Sequence, residues 1–157
     1  MPKITALIHT NNDSRRVGRA LDSLRCCDEL LVVDHGSEDD TAKIAREHGA
    51  RVESAIPGVS DGTYLVDAKH DWILCLLPSE SLSDGLEASL FEWKEKDPGD
   101  ATGFAVEVRE ETENGWNSAG THTRLVNRTR VNWVTNLPPD EPNAQQLAGE
   151  VLRFKNP

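Results

Sequence analysis

Apolar residues fall along this chain in three successive rhythms. Towards the N-terminus they come in nearly unbroken runs: Ile4 to Ile8, then Leu30-Leu31-Val32-Val33, then Trp72-Ile73-Leu74-Cys75-Leu76-Leu77. A run without alternation suits a strand buried on both faces, as in a parallel sheet under helices. Between the runs the spacing changes to threes and fours. Val17, Ala20, Leu21 and Leu24 form one helical stripe, and Leu86, Leu90 and Trp93 form another. Beyond Ala101 the pattern alternates, over 103–110, 121–126 and 130–134, as in half-exposed strands.

Turn and cap residues punctuate these segments. The pattern predicts a strand over 3–8, a helix over 14–24 capped by Asn12 or Asp13, and a strand ending at Asp34. A helix from about Asp39, through Thr41, Ile44 and Ala45 to His48, follows, closed by Gly49, then a short strand over 51–53. Residues 60–69 read as a weak helix, because Gly62 falls inside it. A strand over 71–77 ends at Pro78. Ser81 and Asp84 read as a capping box for a helix beginning near Ser83 and reaching Lys96, where Asp97-Pro98-Gly99-Asp100 breaks it. Asn114-Gly115 signals a hairpin. Residues 136–142 read as irregular, 143–148 as a short helical turn, and the last residues as an edge strand. Repeated strand–turn–helix units imply right-handed crossovers. The expected class is α/β: a mostly parallel sheet with helices on both faces and a small antiparallel C-terminal extension.

The chemistry concentrates at residues 29–41, ELLVVDHGSEDDT. Asp34 stands at the carboxyl end of a buried strand, His35-Gly36 turns the chain, and Ser37 with Asp40 reads as a capping box. An acidic residue, a glycine turn and a helix N-terminus together can hold a nucleotide, with the carboxylate accepting from base or ribose. The alternative is that Asp34 and Ser37 only cap the helix.

Composition narrows the partners. The 157 residues suffice for one domain with a real core, at 37% hydrophobic and 28% charged content. A net charge of −10 argues against a nucleic-acid-binding surface. No apolar run approaches the roughly 18 residues of a membrane span, and MPKITALIHT lacks the pattern of a signal peptide. Three cysteines without a CxxC pair suit a reducing cytoplasm and no metal site. The five histidines show no metal-ligand spacing. His9 and His35 approach at adjacent strand ends but read as surface imidazoles.

The chain resembles a family 2 glycosyltransferase, the inverting class built on the GT-A fold. ITALIHTNND resembles that family's first strand and turn, and ELLVVDHGSEDDTAKIAREHGARV its second βα unit, with a VD-x-GS-x-D-x-T signature. DWILCLLPSESLSDGLEASL resembles the strand, turn and helix around its metal motif. HTRLVNRTRVNW resembles the Arg-Leu segment of its acceptor half. The resemblance implies one domain over 1–157. Residues 1–100 would be its nucleotide-binding half and 101–157 a reduced acceptor-side half. It implies a nucleotide-diphospho-sugar partner contacted by Thr10, Asn11 and Asp34, with Ser37 and Asp39 nearby. It also implies an acidic base, for which Asp140 and Glu141 are the candidates, although PPDEP reads first as a solvated loop between prolines.

The family's divalent metal, manganese or magnesium, is held by a DxD carboxylate pair. Here Leu77 and Ser79 occupy those positions, and hard cations want anionic oxygen. Glu80 keeps one carboxylate and reads as a solvated residue ahead of the helix. Arg15, Arg16, Arg109 and Arg124 could neutralise a diphosphate instead. Three functions remain open: an atypical, metal-independent transferase; a degenerate domain that binds a nucleotide, a partner protein or a second copy without chemistry; or a small structural or assembly module that kept only the fold.

Overall fold

The computed structural model describes residues 1–157. Eight strands form one sheet. They are β1 (Ile4–Thr10), β2 (Glu29–Asp34), β3 (Arg51–Ser54), β4 (Trp72–Cys75), β5 (Glu80–Leu82), β6 (Gly103–Thr112), β7 (Gly115–Asn127) and β8 (Gln145–Arg153). Their order is β3-β2-β1-β4-β7-β6-β8-β5. β1, β2, β3 and β4 are mutually parallel, β7 runs antiparallel to β4 and β6, and β8 returns parallel to β6. The antiparallel part is larger than the small extension expected, because β6 and β7 run 10 and 13 residues and β8 another 9.

Three helices accompany the sheet: α1 (Val17–Asp22), α2 (Thr41–Glu47) and α3 (Asp84–Trp93). Val17, Ala20 and Leu21 of α1, Ala45 of α2 and Leu86, Leu90 and Trp93 of α3 join one core cluster with Ile4, Ala6, Ile8, Val32 and Leu74. Those strand residues alternate along their strands and so share one face. All three helices therefore pack on that face, not on both as expected. The opposite face presents Leu7, Leu31, Val33, Ile73, Cys75 and Val126. A 3-10 turn over Asp61–Asp67 covers it, together with Val131 and Trp133.

Several local expectations are corrected. The weak helix at 60–69 is the 3-10 turn, pressed so close to the next segment that a Cβ on Gly62 would sit 2.0 Å from the Trp133 carbonyl oxygen. α3 is capped by Ser83, whose hydroxyl accepts from the Leu86 amide at 3.1 Å; Ser81 is buried in β5. Residues 130–134 form no strand, and 143–148 enter β8 where a helical turn was expected. No helix is long and apolar enough to cross a membrane.

Candidate functional site

The carboxyl ends of β1, β2 and β4 open onto a cleft of about 470 Å³, lined by His9, Thr10, Asn11, Asp13, Arg16, His35, Asp61, Leu77, Pro78, Ser79 and Asn136. A larger hollow, about 690 Å³, lies at the opposite ends of the strands, among Lys3, Lys69, Asp71 and Lys96. The smaller cleft is the candidate site, since ligands of open α/β sheets bind outside the strands' carboxyl ends.

Pairing in register sets its floor. Thr10 stands opposite Asp34 across β1 and β2, and the His35 amide continues the ladder onto the Thr10 carbonyl at 2.9 Å. The two turns that follow are laced together. Asn11 Nδ2 donates to the His35 carbonyl at 2.6 Å, the Asn12 amide to Ser37 Oγ at 2.8 Å, and the Glu38 amide to Asn12 Oδ1 at 2.8 Å. The Asp13 amide reaches Thr41 Oγ1 at 2.9 Å. Asn12 holds a left-handed backbone (φ 55) and Gly36 another (φ 75). Asn tolerates that region better than other side chains, and Gly adopts it freely.

This lacing consumes much of the predicted nucleotide set. Oδ1 of Asp34 accepts from both the amide and the hydroxyl of Ser37, closing the turn. Oδ2 of Asp34 has no protein donor. Thr10 donates to Asp13 Oδ2 at 2.7 Å. Asp39 accepts from the Thr41 hydroxyl and amide and from the Ser14 amide. The Thr41 hydroxyl above all draws its pKa down to about 2. Thr10 and Asn11 line the cleft, Asp34 pairs with Thr10 across the ladder without joining the lining, and Ser37 and Asp39 serve the turns.

Of the basic residues, Arg16 lines the cleft and has no carboxylate partner, while Arg15 is exposed outside it. Arg109 is occupied by the Trp116 carbonyl. Arg124 is not solvated: it is 2% exposed and is committed to Glu80. Glu80, expected in solvent, is fully buried in β5. Its Oε1 accepts from Arg124 Nη1 at 2.7 Å and from the Leu77 amide at 2.8 Å. Its Oε2 accepts from Arg124 Nη2 at 3.0 Å and Arg153 Nε at 3.1 Å. Burial works against the charge, but Arg124, the Leu77 amide and Arg153 outweigh it and hold the carboxyl below its ordinary pKa. Leu77 offers no ligand atom, Ser79 only a neutral hydroxyl, and Glu80 is enclosed, so these residues do not fit a manganese or magnesium ion.

Asp140 and Glu141 do not line the cleft. Asp140 accepts from the Thr123 amide at 3.0 Å and sits 3.1 Å from His122 Nδ1. Desolvation opposes its charge, yet the Thr123 amide and the His122 ring lower its pKa. Glu141 borders a separate groove beside Gly103 and Phe104.

The spacing of the histidines concealed one feature. His9 is buried, not a surface imidazole, and its Nδ1 lies 2.9 Å from His35 Nε2. Asp61 Oδ1 lies 3.7 Å and 3.6 Å from those two nitrogens. Desolvation, reinforced by His35 and opposed by Asp61, pushes the His9 pKa down to about 4. The available signal was register: His9 pairs with Val33, and His35 lies two residues on, on the same face.

The parallel β3-β2-β1-β4 core, the antiparallel β7 and the strand-end cleft define a GT-A-like fold. Two solved structures share it at the level of fold. Mannosyl-3-phosphoglycerate synthase from Rubrobacter xylanophilus superimposes with a TM-score of 0.53 at 22% identity, over 70% of this chain and 40% of that one. Glucosyl-3-phosphoglycerate synthase from Mycobacterium tuberculosis, in complex with Mn2+, uridine diphosphate and phosphoglyceric acid, gives 0.52 at 20% identity, over 72% and 45%.

In sequence, the chain is similar to uncharacterized glycosyltransferases of Rickettsia. It is 37% identical to that of Rickettsia felis over 91 residues, 55% of this chain and 32% of that protein. It is 38% identical to that of Rickettsia conorii over 89 residues, 54% and 32%. The chain thus spans about a third of the length of the curated relatives it matches. No protein-family model matches it. The chain is glycosyltransferase-like in both fold and sequence.

Proposed function

We propose that this chain is a family 2-like glycosyltransferase domain that binds a nucleotide-diphospho-sugar in the cleft at the ends of β1, β2 and β4, without a DxD-held metal. The free Oδ2 of Asp34, the strand partner of the cleft residue Thr10, is the observation that carries the reading. It leaves a charged acceptor for a base or ribose donor, while Oδ1 keeps the turn closed. Arg16 supplies positive charge beside Ser79, where the lost acidic pair would have gripped a diphosphate. Residues 1–100 would serve the donor and 101–157 the acceptor. In transfer, an acceptor hydroxyl loses its proton as it attacks the anomeric carbon in line, and the diphosphate departs. Asp140, steadied by His122, and Glu141 remain the base candidates. The cysteine usage keeps the cytoplasm as the expected compartment.

A second reading, a degenerate domain that binds the nucleotide without transfer, is favoured by one observation: neither Asp140 nor Glu141 reaches the cleft lining.

The test is a thermal-shift and calorimetric panel of uridine, guanosine, thymidine and cytidine diphosphates and their sugars, each with and without manganese. A bound ligand raises stability by mass action. Manganese should change affinity by no more than a few-fold. A hydrogen bond to a charged acceptor is worth about 1.5–3 kcal/mol, so Asp34→Ala should weaken binding roughly ten- to a hundredfold. If Asp34→Ala lowers the melting temperature but leaves affinity unchanged, Asp34 serves only the turn. If no nucleotide binds at millimolar concentration, the donor reading fails. Release of free sugar or transfer to added acceptors separates the active from the degenerate reading.

A further inference from the structure

Three ligand atoms meet at one corner of the cleft, drawn from segments far apart in sequence. His9 comes from the last turnings of β1, His35 from the residue after β2, and Asp61 from the first residue of the 3-10 turn. The edges of their triangle are 2.9, 3.6 and 3.7 Å. A point about 2.1 Å from all three atoms lies just above the plane of a triangle with those edges, within the range of zinc–nitrogen and zinc–oxygen bonds and with room for a fourth ligand on the other side. The edges also bracket the roughly 3.3 Å separation of neighbouring ligands in a tetrahedral zinc site.

We infer that His9 Nδ1, His35 Nε2 and Asp61 Oδ1 form a three-ligand site for a borderline transition-metal dication such as zinc, with a fourth position open to the cleft.

The donor set favours this class over magnesium or calcium. Two imidazoles and one carboxylate suit zinc and its first-row neighbours, whereas the hard cations want oxygen throughout. Three protein ligands with an exposed side match catalytic rather than structural zinc sites, which close with four. The exposure is graded to fit: the His9 side chain is 5% exposed, Asp61 28% and His35 34%. The buried ring anchors the site, and the other two ligands form its rim. When a cation enters, the hydrogen shared along the edge between the rings moves to the outer nitrogen of its own ring, so no proton is lost from the pair.

The scaffold holds the geometry in place without the ion. His9 and His35 are fixed by the β1–β2 ladder, which continues through the His35 amide. Asp61 is placed by its neighbour Gly62, whose amide donates to the Val134 carbonyl at 3.3 Å and whose missing side chain permits that approach. The carboxylate is thereby delivered to the two rings from the segment covering the sheet.

This inference stands apart from the donor reading, because metal affinity can be measured with no nucleotide present. The experiment titrates zinc into the full, reduced chain near neutral pH, in competition with a chromophoric chelator, and repeats it with cobalt to record the ligand-field spectrum. The wild type should take up one equivalent, with a tetrahedral cobalt spectrum lacking a thiolate charge-transfer band. His35→Ala and Asp61→Asn should each lose at least tenfold in affinity while keeping a cooperative thermal melt. His48→Ala and His122→Ala, which break exposed His–Asp pairs elsewhere, should bind zinc like the wild type. The inference is overturned if the wild type binds no more tightly than His35→Ala and Asp61→Asn. A thiolate band, or loss of the equivalent in Cys26→Ser or Cys27→Ser, would also overturn it by placing the ion at the adjacent cysteines.

Discussion

Replacing Glu80 with alanine should cost this protein a large part of its stability. Arg124 and Glu80 have side-chain exposures of 2% and 0%, and the carboxylate takes both guanidinium nitrogens, the Leu77 amide and Arg153. Glu80→Ala leaves the buried Arg124 with only the Cys75 carbonyl, at 3.2 Å, in place of an anion. Breaking a buried pair in this way costs about 3–5 kcal/mol. In a chain of this size each kcal/mol moves the melting point about 2–4 °C, so the shift should be roughly 6–20 °C. Urea unfolding at neutral pH reads the free energy, and calorimetry reads the melting point. Two companions sharpen the test. Arg153→Met removes a partner that is 29% exposed and should cost about 1 kcal/mol or less. The double variant Glu80→Leu/Arg124→Met should recover most of the loss, since a buried pair replaced by apolar groups of similar volume is often neutral.

The same group has a pH signature. Its folded pKa lies below its ordinary value of 4.5, so its stabilisation is fully present above pH 4.5 and is lost as pH falls through the folded value. Below that pH, wild-type stability should fall more steeply than that of Glu80→Gln. A Glu80→Ala loss under about 1 kcal/mol would refute the reasoning, because such a carboxylate could not be a buried counter-ion. Glu80 would then return to the cleft chemistry as a free ligand.

Two smaller substitutions probe how the elements are seated. Gly62→Ala would push a methyl group against the Trp133 carbonyl, so it should lower the melting temperature and also weaken zinc uptake by shifting Asp61; unchanged zinc affinity would separate the two effects. Ser83→Ala removes the acceptor for the Leu86 and Glu150 amides and should cost about 1 kcal/mol in urea unfolding, within the range for lost helix caps.

What could be read from the amino-acid order was local. Leu30 to Val33 announced a buried strand because parallel strands lack a polar face, and the stripes of α1 and α3 are buried where the spacing placed them. Residues 130–134 show why rhythm alone misleads. Val131 and Trp133 are buried and Asn132 and Val134 exposed, as alternation implies, yet the segment packs on the sheet without joining any strand ladder. The C-terminal strand was expected, but its start at Gln145 and its place between β6 and β5 were not, because Gln145, Gln146 and Glu150 dilute its apolar positions; only Leu147 and Val151 are buried. Glu80 was misjudged because its partners are 44 and 73 residues away. The His9–His35–Asp61 corner has the same origin, since no spacing rule links two strand ends to a turn in a third segment.

The unequal covering of the sheet gives the molecule a stiff side and a soft side. Three helices and a cluster of 24 buried residues back one face, while 11 buried residues under a 3-10 turn and an irregular segment cover the other. Gly62 to Val134 joins the two parts of the soft cover, which is pinned to the rest by Tyr64 on the Ile56 amide, Arg51 of β3 on the Asp67 carbonyl, and Arg128 on the Leu65 and Ala68 carbonyls. Segments with so few buried contacts open at lower free energy than the sheet beneath them. Asp61 and Asn136 ride on this cover, whereas Thr10, Asp34 and His35 belong to the sheet or the residue extending it. The cleft therefore has one fixed wall and one that can breathe. Anything that binds across it, cation or phosphate, would clamp the loose wall to the rigid one, so that occupancy of the site and order of the cover become one equilibrium.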